Sequence, residues 1–106
     1  MESPLERLMA LSDDELLMEI GRLADPRAPL NNPPALIAKG EAVVARNLER
    51  VRGVVCPRRH LLDGPEATLA AAVIGALADH LTLGLASAVA AYVARRGVLW
   101  LCGEPR

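Results

Sequence analysis

Aromatic side chains are almost absent from this 106-residue chain, which has one Tyr, Tyr92, one Trp, Trp100, and no Phe. Few large rings are available to fill a core, so close packing of small and aliphatic side chains must replace them. Alanine is abundant, and it favours helices and is depleted in strands. Since 52% of the residues are hydrophobic, we predict a single all-α domain over residues 1–106.

Long apolar runs are missing as well. The two longest runs cover residues 67–78 and 81–94, and Asp79 and His80 separate them. Both are shorter than the ~20 residues that cross a bilayer, and runs of this length are typical of buried core helices. Peripheral membrane association is therefore a lesser alternative.

Cysteine is scarce: Cys56 and Cys102 form no recognisable disulfide framework. The acidic N-terminus does not resemble a signal peptide, so a reducing cytoplasm is the simplest interpretation. With His60 and His80 the cysteines make a set of residue types that suits zinc, but His80 and Cys102 lack the paired spacing of structural zinc sites. No motif supports a Cys–His nucleophile pair either. We predict no metal, no cofactor and no enzymatic activity, and leave open whether these four residues converge.

Positive and negative charges nearly balance over the whole chain but not within its segments. The net charge of −1 argues against a nucleic-acid partner, because nonspecific affinity for phosphates needs excess positive charge. Residues 1–26 carry seven acidic and two basic residues, a formal charge of −5, whereas residues 27–60 carry the reverse, +5. Opposed surfaces on one body predict head-to-tail association of copies.

The pattern of apolar residues predicts a compact bundle of five or six helices. A short segment begins at Ser3 and ends near Leu11; Ser12 and Glu15 then form a capping-box pattern that starts a second helix. Prolines between positions 26 and 34 predict a loop. An amphipathic helix with a basic face follows over residues 34–55, with Gly40 on its apolar side.

The second half of the chain predicts two longer helices after a loop at 56–60 and a turn at 63–64. Residues 65 to about 81 are apolar almost all round, which predicts a central, buried helix. Gly84 marks the joint before a last helix over 85–101, with a kink at Gly97. Its predicted core stripe includes Leu85, Val89, Tyr92, Val93 and Leu99 or Trp100. Trp100 is alternatively an exposed anchor for a partner, because Trp is enriched at binding hot spots.

The helix number, the break at Ser12 and the opposed charges resemble death-fold modules, particularly the caspase-recruitment (CARD) type. The ending GLASAVAAYVARRGVLWLCG is similar to small helical domains that accompany trypsin-like proteases and other effectors in bacterial antiphage systems. The resemblance implies an adaptor that self-associates or recruits an effector, such as a protease or pore-former. The charge-pairing residues it implies are Asp13, Asp14, Glu15 and Glu19 on one side and Arg46, Arg50, Arg52, Arg58 and Arg59 on the other.

An alternative function from another class is a small regulatory or structural subunit that docks its apolar hairpin, residues 67–101, on a partner protein. This alternative predicts an exposed apolar patch and little dependence of association on salt. Charge-driven assembly predicts weakening as salt is raised.

Overall fold

The computed structural model describes residues 4–29, 31–62 and 64–103, and within these ranges it contains six α-helices, one 3₁₀ helix and no strand. The predicted all-α class is confirmed. Ser3 and Asp63, which belong to the predicted first segment and turn, lie outside the described residues. The helices are α1 (Pro4–Met9), α2 (Asp13–Ala24), α3 (Pro33–Val55), the 3₁₀ helix (Cys56–Leu61), α4 (Glu66–Leu77), α5 (Leu83–Arg96) and α6 (Val98–Cys102).

The break between α1 and α2 is the predicted capping box. The backbone N–H of Glu15 donates to Ser12 Oγ at 3.1 Å, and the backbone N–H of Ser12 donates to Glu15 Oε1 at 3.0 Å. Two backbone donors that the first turn of α2 would leave unpaired are thereby satisfied. The chain consequently changes direction at Ser12, as predicted.

Two buried glycines let α2 and α3 pack closely. A Cβ atom at Gly40 would overlap the carbonyl oxygen of Leu17, and one at Gly21 would overlap that of Leu36. Each helix therefore places backbone against backbone at the crossing, which no larger residue permits. Gly40 lies on the predicted apolar side of α3, and this contact is the reason for a glycine there.

The central helix is α5, not the helix formed by the most apolar stretch. α5 packs against α1, α2, α4 and α6, and it buries eight residues: Leu85, Ala86, Ala88, Val89, Ala90, Ala91, Val93 and Ala94. By contrast, α4 buries Leu69, Ala70, Val73 and Leu77 and exposes Ala67, Ala71 and Gly75. The prediction of a central, buried α4 is wrong, because alanine and glycine carry little apolar area and can face water at small cost.

The last predicted helix, 85–101, is two helices. Thr82 caps α5, its hydroxyl accepting from the Leu85 N–H at 3.3 Å, and Gly97 ends α5 with a positive φ of 93°. The new start at Val98 resets which side chains face the core. Leu101 is 1% exposed, whereas Leu99 and Trp100 are 63% and 42% exposed. The predicted core position for Leu99 or Trp100 is therefore wrong. The alternative of an exposed Trp100 and the predicted break in direction at Gly97 are confirmed.

Within the described ranges, none of the helices combines the length and the apolar character that a membrane crossing requires.

Candidate interaction surface

The first predicted acidic residue, Asp13, is bound within the chain. Its carboxylate accepts from Arg95 Nη1 at 3.2 Å and lies 3.1 Å from Arg96 Nη2. Asp13 lies in the first turn of α2, and both arginines lie in the last turn of α5. Each charge therefore also interacts favourably with the dipole of its own helix. Arg95 further donates to the carbonyl oxygen of Met9 at the end of α1. Arg95 thus joins α1, α2 and α5.

Two more acidic residues also have partners inside the chain. Glu15 closes the capping box, and the hydrogen bonds from the Ser12 backbone and hydroxyl lower the pKa of its carboxyl. Glu19 forms an ion pair with Arg22, and this contact raises the pKa of the Arg22 guanidinium. Within the ranges described, only Asp14 of the four acidic candidates has no hydrogen bond or ion pair.

Four of the five predicted basic side chains have no partner among the described residues. Arg46 and Arg50 are exposed one turn apart on α3, and Arg58 and Arg59 follow where α3 continues into the 3₁₀ helix. In the part of the chain that the structure describes, none of these four side chains makes an ion pair or a hydrogen bond. Residues 46–59 hold five arginines against one acid, Glu49, a formal charge of +4. We call Arg46, Arg50, Arg58 and Arg59 the basic face.

The fifth basic candidate, Arg52, does not join the basic face. At two residues from Arg50 it points about 200° away around the helix. Its Nε donates to the carbonyl oxygen of Leu101 at 2.7 Å, at the C-terminal end of α6. A cation at this position donates to a carbonyl oxygen that has no partner within the helix, and it interacts favourably with the negative end of the helix dipole. Arg52 therefore holds α6 in place.

The two cysteines form a disulfide, which corrects the expectation drawn from the sequence. Cys56 begins the 3₁₀ helix and Cys102 ends α6, with Cα atoms 5.6 Å apart and 46 positions between them in the sequence. The pairing arises from the packing of two short elements that are distant in the chain, so no local spacing indicates it. His60 and His80 are exposed. Across residues 4–29, 31–62 and 64–103, no three His, Cys, Asp or Glu residues are grouped as metal ligands.

Exposed apolar side chains gather on the two elements that the disulfide joins. Leu61, on the 3₁₀ helix, is 65% exposed, and Leu99 and Trp100 belong to α6. We call these three residues the apolar corner. The Trp100 ring lies edge-on to Tyr92, 6.2 Å between centroids. Sequence reasoning missed Leu61; the signal was the Leu61–Leu62 pair, since adjacent residues of a helical turn cannot both face one core.

A separate apolar groove of about 480 Å³ lies between α1, α2 and the start of α5. Its lining includes Leu5, Leu8 and Leu23. Leu83 stands at this groove with 73% of its surface exposed. The groove is distinct from the basic face, and the hairpin that the alternative hypothesis uses contributes Leu83, Gly84 and Ser87 to its lining.

No protein-family model, curated protein or solved structure matches this chain.

Proposed function

We propose that this chain is an adaptor that recruits a partner protein by binding an acidic segment of that partner on the basic face. One observation carries the proposal: the acidic candidates are mostly bound within the chain, while four of the five basic candidates are not. Unpaired arginines attract carboxylates, and the planar guanidinium can bind them with two parallel hydrogen bonds.

This asymmetry favours recruitment of a different protein over head-to-tail assembly of copies. A second copy would have to offer its own acidic residues, but Asp13, Glu15 and Glu19 already have partners. Moving them to another molecule would break intramolecular contacts of similar strength. The exchange would therefore return little net free energy.

The apolar corner indicates that the partner segment carries apolar side chains as well as carboxylates. Leu61 follows Arg58 and Arg59 on the same 3₁₀ helix, and Leu99 and Trp100 are tied to that helix through the disulfide. Trp and Arg are the residue types most enriched where binding free energy concentrates. A segment that alternates carboxylates with apolar side chains fits this surface better than a nucleic acid, whose recognition needs a basic excess that the whole chain lacks.

The cellular setting of the proposal follows from the resemblance to death-fold modules. The break at Ser12 and the six-helix, all-α architecture support that resemblance. We accordingly place the adaptor in the cytoplasm of a bacterium, where it recruits an effector of an antiphage system. The acidic segment that binds the basic face belongs to this effector.

Binding of a labelled synthetic helix built from Glu and Leu tests the proposal. We expect light scattering to show a monomer at low and high salt, and fluorescence anisotropy to show binding of the peptide that weakens as salt is raised. The variant Arg46→Glu/Arg50→Glu should lose binding. Its control, Arg7→Glu/Arg27→Glu, makes the same change in net charge at exposed positions away from the basic face and should keep it.

Two results would contradict recruitment through the basic face. One is equal binding by the two double variants, which would make the attraction a property of net charge. The other is self-association of the wild type at low salt that Arg46→Glu/Arg50→Glu abolishes, which would restore head-to-tail assembly.

The exposure of Leu83 at the apolar groove favours a second candidate function, docking of the hairpin over residues 67–101 on a partner protein. A partner side chain that fills the groove would cover Leu83 and exclude water from it. Capture of such a partner should be insensitive to salt and should be lost in Leu83→Glu, whereas Arg46→Glu/Arg50→Glu should leave it unchanged.

A further inference from the structure

The attachment of α6 rests on a few contacts at one corner of the molecule. A helix of five residues is far below the length at which an isolated helix is stable in water. α6 is held by the burial of Leu101, the hydrogen bond from Arg52 to Leu101, the ring contact between Trp100 and Tyr92, and the disulfide. Of these contacts only the disulfide is covalent, and it is the one that a chemical signal can break.

The joint between α5 and α6 consists of one residue. Gly97 has a φ of 93°, and a Cβ placed on it would meet nothing within 4 Å. Glycine adopts other backbone conformations there without a steric penalty. Release of α6 from the 3₁₀ helix therefore needs no rearrangement of α5, whose buried residues stay in the core.

We propose that the Cys56–Cys102 disulfide is a redox latch that assembles and disassembles the apolar corner. When the disulfide is formed, Leu99 and Trp100 on α6 are held beside the 3₁₀ helix that carries Leu61. When it is reduced, α6 detaches about Gly97 and the corner separates into two parts. Both cysteines are half-buried, so a reductant reaches the disulfide without unfolding of the core.

The reductant is a dithiol, of the chemical class used by disulfide oxidoreductases. One of its thiolates attacks a sulfur of the disulfide and displaces the other cysteine as a thiolate, which takes up a proton. The second dithiol sulfur, as its thiolate, then attacks the mixed disulfide and releases the remaining cysteine, which is also protonated. The products are two cysteine thiols and one oxidised dithiol. Disulfides that form in a reducing cytoplasm are usually transient and sense redox state.

The effect of the latch on recruitment rests on the proposed function, whereas the latch itself does not. With α6 released, Leu99 and Trp100 leave the surface that binds the acidic and apolar segment, while Arg46 and Arg50 stay on α3. Reduction should therefore weaken binding of the Glu and Leu peptide severalfold without abolishing its dependence on salt.

Trp100 reports the latch directly, because it is the single tryptophan of the chain and lies on α6. On reduction with a phosphine we expect a red shift of its emission, a severalfold rise in quenching by acrylamide and faster hydrogen exchange of the α6 amides. Far-UV circular dichroism should keep nearly all of its helical signal. The variant Cys56→Ser/Cys102→Ser should match the reduced protein with and without the phosphine.

Two outcomes would overturn the latch. Unchanged quenching and exchange on reduction would show that the other contacts hold α6 without the disulfide. Cooperative loss of the helical signal would show that the disulfide stabilises the whole fold and does not release α6 separately. If the peptide binds neither redox form, recruitment through the basic face fails, and the Trp100 measurement still decides the latch.

Discussion

The two ends of α3 are held in different ways. Its first half crosses α2, where Gly21 and Gly40 bring the two backbones together. Its last turn continues into the 3₁₀ helix, which is held to α6 by the disulfide, while Arg52 reaches α6 from α3 itself. We refer to these as the packed end and the linked end of α3.

The difference follows from the length of each partner. α2 has 12 residues and buries Leu16, Leu17 and Ile20, whereas α6 has five and buries Leu101. Apolar burial stabilises in proportion to area, so α2 is held by packing and α6 receives too little from packing alone. Where a secondary-structure element is too short to bury a face, a covalent bond or a charge-assisted hydrogen bond supplies the attachment.

Of the changes that test this comparison, removal of the disulfide should lower the free energy of unfolding most. For a separation of 46 positions, chain entropy predicts that Cys56→Ser/Cys102→Ser lowers the free energy of unfolding by about 4 kcal/mol. Guanidinium denaturation of the oxidised wild type and the variant measures it. A loss below about 1 kcal/mol would contradict the chain-entropy estimate, since it would mean that the disulfide constrains the unfolded chain little more than the folded one.

The matching change at the packed end is Gly40→Ala. The new methyl group would overlap backbone of α2, so we expect a loss of about 3 kcal/mol in the free energy of unfolding. Gly53→Ala is the control on the same helix, where a Cβ meets nothing within 4 Å, and it should stabilise by about 1 kcal/mol. Equal effects of the two substitutions would show that the close crossing is not needed.

A smaller effect tests whether the two attachments of the linked end act together. Arg52→Ala removes the hydrogen bond to Leu101 and should cost about 1 kcal/mol in the oxidised protein. In the Cys56→Ser/Cys102→Ser background its cost should fall towards zero, because a released α6 no longer offers that carbonyl. Additive losses in this double-mutant cycle would contradict the release.

The smallest effect is a dependence on pH at the packed end. Lys39 Nζ donates to Asp25 Oδ2 at 2.7 Å, joining the end of α2 to α3, and this hydrogen bond lowers the pKa of the Asp25 carboxyl. A carboxyl whose pKa is lowered on folding stabilises the protein at pH values above its pKa in the unfolded chain. That stability is lost as the pH falls through the lower pKa that the carboxyl has in the folded protein. The melting temperature of Asp25→Asn should therefore fall less between neutral pH and about pH 3 than that of the wild type. A parallel fall in both proteins would exclude a contribution from this pair.

Local signals in the sequence were sufficient where the interaction is local. Ser12 and Glu15 are three residues apart and satisfy each other's backbone, so the start of α2 is predicted and found. The apolar side of α3, including Gly40, follows from helical spacing in the same way.

Features that depend on distant elements could not be read from the pattern. α4 is apolar on every side, so its composition does not say which face meets the core, and its neighbours decide. Gly97 changes the helical phase, which moved Leu99 and Trp100 from predicted core positions to the surface. The charge counts likewise did not show that Asp13 is bound by arginines more than 80 positions away.

A series of side-chain contacts connects α6 with the start of α2. Trp100 lies against Tyr92, the Tyr92 ring lies 4.9 Å from the Arg96 guanidinium, and Arg96 pairs with Asp13. Because each side chain in this series contacts the next, a displacement of α6 would remove the Trp100 ring from Tyr92. The Tyr92 ring would then position Arg96 less firmly. By reciprocity, a substitution at Asp13 should alter the fluorescence of Trp100 on α6. The start of α2 and the short α6 are thus connected through two side chains of α5, although they are far apart in the sequence.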